Sequence, residues 1–484
     1  MKKEDNVQYS SPFEFEGRIP LKEAIPLGLQ HVLAMFVGNL TPLIIIMGAC
    51  GLTIDAGYGD FRTALLQNAM LVAGIVTLVQ LYAIGPIGGK VPIIMGTSSG
   101  FLGVMRTCAT TLGTGVVSYS IIITACIVGG IFEGVLGFFI KPLRKFFPPV
   151  VTGTVVMAIG LSLISVGINY FAGGSGVKDF GSLQNLFLGT FVLVVIVIVK
   201  HFCKGIASSS SVLIGIIAGY IVAAIMTAVL PHTGTLVEVV DGVETTTEYT
   251  YAWVVNWSSV ANASWFALPS FIGFGKLSDI HLTFNSAAIV PMMLMFIVTA
   301  VETVGDISGV IEAGMDREAT DTELSGGVVC DGLGSAFAAL FGVLPNTSFS
   351  QNVGLVQMNG VVNRFALSLG AIFLVLCGLC PKLAAIVSIM PQAVLGGAAV
   401  MMFSSIVISG FQLICKSPMG GREITIISIA LGLGYGLGTN SSALAGLPSF
   451  MTYVFGGSGI VPAALIAIVL NAVLPADYKL NAKK

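Results

Sequence analysis

Glu302 and Asp306 stand four residues apart within the apolar stretch Val290–Val310. That spacing puts both carboxyls on one helical face. Ionisable side chains inside membrane spans are costly, so each marks a candidate functional position. A carboxyl that gains and loses a proton at that depth can couple solute movement to a proton gradient. Asp331 follows Val328-Val329-Cys330 at the start of a later apolar stretch and suits a helix cap, a pair with a basic group or the proton path. His31, beside Gln30 in the first apolar run, needs a hydrogen-bonding partner; packing and organisation of a site both fit it.

A second chemistry comes from the polar run Pro345-Asn346-Thr347-Ser348-Phe349-Ser350-Gln351-Asn352-Val353-Gly354, which lies between apolar segments. Irregular backbone at membrane depth is tolerated where it lines a cavity inside the protein. Gln351 and Asn352 carry primary amides, each with one acceptor and a pair of donors. Such an amide bonds side by side with a lactam or ureide edge, and Glu302 can accept a further N–H from the same planar ring. The matching solute is small, neutral and hydrogen-bonding, as oxopurines and oxopyrimidines are. Phe101, just after Thr97-Ser98-Ser99-Gly100, is placed to stack on the ring face.

The elements that must position these groups are membrane helices. The chain is 55% hydrophobic and 10% charged, too little charge for a soluble protein of its length. We expect an all-α, polytopic membrane protein with fourteen segments. Three are short or interrupted, at 91–107, 327–343 and 345–362. The first 24 residues are polar and the next run is long enough to span, so no cleavable signal peptide is expected. With both termini cytoplasmic, all of the 22 lysines and arginines except Arg62, Arg106, Lys178, Lys276 and Lys382 fall on inner loops. That is the bias expected across a cell membrane. The loop at 232–282 is acidic and reads as a solvated outer face. An odd number of segments on either side of it makes the halves inverted with respect to each other. Pro148-Pro149-Val150-Val151-Thr152-Gly153 resembles Pro391-Gln392-Ala393-Val394-Leu395-Gly396, and Gly96-Thr97-Ser98 echoes Asn346-Thr347-Ser348. Polar interruptions at corresponding positions of two halves point to a transporter's binding site.

Other classes fit less well. The net charge of -2 comes with no basic stripe, so nucleic acid is not an expected partner. The eight cysteines are scattered; Cys377 and Cys380 lack a second ligand pair and read as packing. No metal-ligand cluster and no nucleophile with a base partner is visible, which argues against an enzyme. A channel or an anion carrier of similar architecture are the alternatives. The run Gly432, Gly434, Gly436, Gly438 reads as close helix packing.

Gln351-Asn352-Val353-Gly354 with Asn359-Gly360 resembles the signature of the nucleobase–ascorbate transporter family. Gln30-His31, Glu302-Thr303-Val304-Gly305-Asp306, Gly96-Thr97-Ser98 with Phe101, and Asp331 are similar to further elements of that family, and the resemblance covers roughly 20–475. It implies two inverted repeats of seven segments, with short strands in segments 3 and 10. It implies a core domain (25–140 and 283–380), a gate domain (141–231 and 381–474) that forms a homodimer, and short cytoplasmic tails (1–24 and 475–484). The core would move against the gate as an elevator. By resemblance, Glu302 and Gln351 bind the base, Phe101 packs on it, and backbone at Gly100 and Val353 completes the edge contacts. His31, Asp306, Asp331, Asn352 and Asn359 support the site or its coupling. Glutamine at 351 fits carriers of xanthine, uric acid or a related oxopurine; uracil carriers are the alternative. No cofactor is implied, and the coupling ion is H+, with Na+ the alternative. Asn359 stands where the family usually has threonine, and Ser99 and Gly100 depart from its third-segment pattern.

Overall fold

The computed structural model describes residues 9–54, 56–143, 148–174, 177–240, 243–447, 455 and 459–475. The first half runs α1 (Leu21–Ala49), α2 (Gly59–Tyr82), β1 (Met95–Thr97), α3 (Leu102–Thr111), α4 (Gly115–Gly137), α5 (Ile140–Leu143), α6 (Pro149–Phe171), α7 (Leu183–Phe202), α8 (Ile206–Ser209) and α9 (Ser211–Val229). A hairpin of β2 (Thr233–Val240) and β3 (Val243–Thr250) and a short α10 (Ser258–Asn262) lead to the second half. That half runs α11 (Ser286–Met315), α12 (Asp321–Leu340), β4 (Asn346–Ser348), α13 (Ser350–Asn359), α14 (Arg364–Gly378), α15 (Pro381–Ser388), α16 (Gln392–Ile414), α17 (Gly421–Thr439) and α18 (Ile460–Val473). The side chain of Gln351, residues 1–8 of the amino-terminal tail and residues 476–484 of the carboxy-terminal one lie outside what is described.

The fold is mostly helical and multi-pass. Among the described residues, eight helices are long and apolar enough to cross a membrane, or nine if α14 and α15, bent by 81° at their junction, form one span. The last expected segment, 449–474, lies in part outside the described residues, which show the shorter α18 there, and four further expected segments are of other kinds. α3 and α13 are half-length helices that each follow a strand. α12 and α17 are long enough, but glycine and polar residues lower their hydropathy.

Helix packing comes in corresponding couples. α4 lies on α12 as α14 lies on α2; α1 lies on α14 as α11 lies on α4; α7 lies on α9 as α17 lies on α18. α6 and α16 pack on each other, and β1 pairs with β4. Small residues permit the closest approaches. A methyl on Gly28 would stand 2.1 Å from the Ala366 carbonyl oxygen, and one on Gly332 2.2 Å from the Gly134 nitrogen. The glycine run in α17 behaves otherwise than expected. Gly434 packs on Ala463, but Gly432 and Gly436 face open space.

The segment after the hairpin is not simply a solvated loop. It crosses the ends of α2, α12 and α14 as a strap, with Gln67 Nε2 donating to the Ala267 carbonyl (2.8 Å), Asn68 Nδ2 to the Ser270 carbonyl (2.7 Å) and Ala267 N to the Leu379 carbonyl (3.2 Å). At the other side, residues 9–20 dock on the α13–α14 turn. Val362 N and Asn363 N both donate to the Pro12 carbonyl, and Asn363 Nδ2 donates to the Glu14 carbonyl.

Candidate functional site

β1 and β4 meet antiparallel at the centre of the molecule, with Met95 opposite Ser348, Gly96 opposite Thr347 and Thr97 opposite Asn346. Two isolated three-residue strands leave backbone groups unpaired, and buried backbone polar groups must find partners. Side chains from the flanking helices supply them, in the same way for each strand. Thr77 Oγ1 accepts from Met95 N (2.9 Å) and donates to the Met95 carbonyl (3.3 Å); Ser335 Oγ accepts from Asn346 N (2.9 Å) and donates to the Asn346 carbonyl (3.1 Å). Two residues on, Asn39 Oδ1 accepts from Thr97 N (2.7 Å), and Thr303 Oγ1 contacts Ser348 Oγ (3.2 Å). The polar runs therefore hold non-helical backbone at membrane depth.

α13 begins two residues after β4 ends and α3 five residues after β1 ends, and the residues leading into α3 together with the first residue of α13 border one cavity of about 30 Å³. Its lining includes Ser98, Gly100, Glu302, Phe349 and Ser350, closed on the far wall by Ile159 of α6 and Ile406 of α16. The N–H groups at a helix N-terminus carry partial positive charge. Near them stands the Glu302 carboxyl, whose Oε1 accepts from Ser350 Oγ (3.4 Å) and whose buried Oε2 has no hydrogen-bond partner among the described residues. A methyl placed on Gly100 would stand 3.8 Å from Oε2. An acceptor thus shares a narrow space with the backbone that leads into two helices, which suits a flat solute carrying both N–H and C=O groups. Apolar walls on one side and few convergent polar groups are what a small-molecule site requires. The space holds one or two water molecules, so a bicyclic ring needs the lining to move apart.

Asp306 lies beside this cavity, accepting from Ser348 Oγ (2.7 Å) and Ser350 Oγ (3.1 Å). It also lines a second cavity of about 50 Å³ with Ser350, Val353, Gln357 and Lys416. Asp331 is fully buried behind β4 and accepts from Thr303 Oγ1 (2.9 Å). His31 and Asn352 are buried and face each other between α1 and α13, where one orientation of the asparagine amide lets them bond.

Two of the sequence-derived positions fall elsewhere. Phe101 does not line the cavity; it is fully buried with its ring 4.6 Å from that of Phe296. The aromatic at the cavity is Phe349. Asn359 ends α13, because Gly360 takes the left-handed conformation (φ 68), and Asn359 Oδ1 accepts from Val361 N (3.0 Å). Its side chain caps a turn rather than continuing the helical face of 351 and 355. Of Gln351 only the backbone, in the first turn of α13, is described. Sequence reasoning also missed Glu133 of α4, fully buried with Thr299 Oγ1 donating to its Oε1 (3.1 Å). A carboxyl inside the apolar run 114–140 is the same signal that singled out Glu302.

Residues 22–442 match the Xan_ur_permease model, described as a permease family. The chain belongs to the nucleobase–ascorbate transporter family. It is 36% identical to the uric acid permease PucK of Bacillus subtilis, over 92% of this chain and 94% of that one. It is 33% identical to the xanthine permease of the same organism, over 93% of each. Family and relatives are permeases, not enzymes. Among solved structures, the transmembrane domain of the cyanobacterial bicarbonate transporter BicA superposes with a TM-score of 0.53, over 94% of this chain and 98% of that one. At 15% identity that likeness shows the fold alone.

Proposed function

We propose that this permease imports an oxopurine, xanthine or uric acid, across the cell membrane together with a proton. The observation that carries the reading is the buried Glu302 Oε2, unpartnered among the described residues, beside the backbone that leads into α3 and the first residue of α13. Glu302 accepts a ring N–H, and backbone N–H groups near Gly100 and at the start of α13 donate to ring carbonyls. Gln351 reads a second edge, Phe349 contacts the ring face, and Val353 lies on the path beyond. The relatives named above support the substrate class.

The coupled packing of the two halves supports fourteen segments in two inverted repeats, with a core of the first four segments of each repeat moving against a gate of the last three. The small cavity lies between these two sets. The second cavity, which shares Asp306 and Ser350 with it, leads towards Lys416 on the side that carries most of the positive charge, so substrate leaves by that route to the cytoplasm. α7 and α9 are largely exposed and apolar, which fits lipid or the gate of a second copy. No cofactor is required; the coupling ion is H+ rather than Na+, because the site offers carboxyls and hydroxyls in a proton-sharing arrangement. Solved neighbours include an anion transporter, but a site holding buried carboxyls disfavours an anion.

The test is uptake of radiolabelled xanthine into proteoliposomes under an imposed pH gradient, with unlabelled bases as competitors. Accumulation driven by the pH gradient, and competed by uric acid more than by uracil, is expected. Accumulation driven only by a sodium gradient, or stronger competition by uracil, refutes the corresponding part of the reading.

A further inference from the structure

Glu133 of α4 has no part in the site described above, yet it touches the site's hydrogen-bond network. Its carboxyl and that of Asp331 on α12 are both fully buried and in hydrogen-bonding contact. Each has one oxygen occupied by a threonine hydroxyl, Glu133 Oε1 by Thr299 (3.1 Å) and Asp331 Oδ2 by Thr303 (2.9 Å). The remaining oxygens, Glu133 Oε2 and Asp331 Oδ1, are buried with no hydrogen-bond donor among the described residues. The charged groups facing Glu133 are Asp331 from α12 and Glu302 from α11, and among the described residues neither Glu133 nor Asp331 pairs with a lysine or arginine. Two adjacent carboxylates with no cation beside them repel each other, and a proton held between them relieves that repulsion.

From Asp331 the chain of contacts continues through Thr303 Oγ1, 3.2 Å to Ser348 Oγ and 2.7 Å to Asp306 Oδ2. Asp331 to Thr303, Thr303 to Ser348 and Ser348 to Asp306 are three contacts between oxygens, and the hydroxyls bring only two protons. Filling all three takes a proton on one of the end carboxyls. With Asp331 protonated, every bond points towards Asp306; with Asp306 protonated, every bond points back. We propose that Glu133 is a proton-holding partner of Asp331, and that the Thr303–Ser348 hydroxyl pair passes a proton between that pair and Asp306 at the substrate site. In each transfer an O–H bond forms at one end carboxyl as one breaks at the other, and both hydroxyls are restored after they turn. Glu133 is a positioning residue, acting on the site through Asp331.

Glu133→Gln keeps the shape and permanently imitates the protonated partner of an ionised Asp331. Infrared difference spectra of the purified protein, without substrate, are expected to lose one protonated-carboxyl C=O band at neutral pH. In proteoliposomes the alkaline fall of xanthine uptake is expected to move down by about one pH unit or more, because the repulsion that one ionised carboxyl exerts on its neighbour, and that holds the shared proton, is gone. An unchanged set of bands overturns the shared proton whatever the substrate is, so that outcome is distinct from failure of the proposed function, on which the uptake arm rests. Thr303→Val interrupts the hydroxyl pair, and in that background Glu133→Gln should produce no further shift of the uptake profile; an undiminished shift overturns the relay. Should Glu133→Gln fail to reach the membrane, Asp331→Asn must remove the same infrared band, and retention of the band overturns the pairing.

Discussion

A methyl group on Gly332 would test how far the site depends on the α4–α12 crossing. The added carbon would stand 2.2 Å from the Gly134 nitrogen, 2.6 Å from the Gly130 carbonyl oxygen and 2.7 Å from the Glu133 carbonyl carbon. All three are backbone atoms, so no side-chain rotation relieves the contact, and one helix must move by roughly 1 Å to restore ordinary packing. Overpacking of this kind costs about 1–3 kcal/mol, and a backbone clash belongs at the upper end. Alanine recovers up to about 1 kcal/mol of helix propensity, which leaves a net destabilisation of about 2 kcal/mol. The same movement draws Asp331 away from Glu133 and disturbs Thr303. Displacements near 1 Å cost on the order of a hundredfold at a site of fixed geometry, so uptake should fall by at least about tenfold. Thermal unfolding in detergent and initial uptake rates, normalised to protein in the membrane, measure the two effects. Gly436→Ala, on a face where none of the described residues lies within 4 Å, is the control and should match the parent. A Gly332→Ala protein as stable and as active as the parent would refute the claim that close approach of α4 and α12 holds this part of the site.

Glu302→Gln keeps the shape and removes the free acceptor at Oε2. Xanthine accumulation under a pH gradient should be lost, and accumulation equal to the parent's would exclude Glu302 as the coupling group. Gln351→Glu replaces a donor–acceptor pair by acceptors alone at neutral pH; it should abolish xanthine uptake with protein still in the membrane, and an unchanged competition profile would remove Gln351 from the site. Phe349→Leu should weaken base binding by about two- to tenfold, the range of an aromatic contact of about 0.5–1.5 kcal/mol, whereas Phe101→Leu should leave affinity unaltered and lower stability only; titration of tryptophan fluorescence with xanthine separates them. Asn359→Thr retains a side-chain oxygen able to cap Val361 N, so inhibition constants for xanthine and uric acid should keep their ratio, and a changed ratio would place residue 359 at the cavity.

Much of this protein was legible from local sequence. A run of apolar residues near the length of a bilayer reports its own transfer free energy, residue by residue, so the membrane class and most long helices need no knowledge of what packs where. A polar group inside such a run costs the same wherever the fold puts it, which is why Glu302, Asp306, Asp331 and the 345–354 segment stood out. Tertiary structure decided which of these groups meet. Glu133 and Asp331 are joined only because Gly130, Gly134 and Gly332 let α4 and α12 come together, and no periodicity records a contact between segments so far apart in the chain. Phe101 turned away because the start of α3 directs it onto Phe296, leaving the cavity to Phe349. Asn359 lay on the expected helical face only if α13 continued, and the left-handed Gly360 ends it there. Spacing along the chain predicts neighbours on one element; the partners of a buried polar group lie on other elements, and only the packing of backbones against one another selects them.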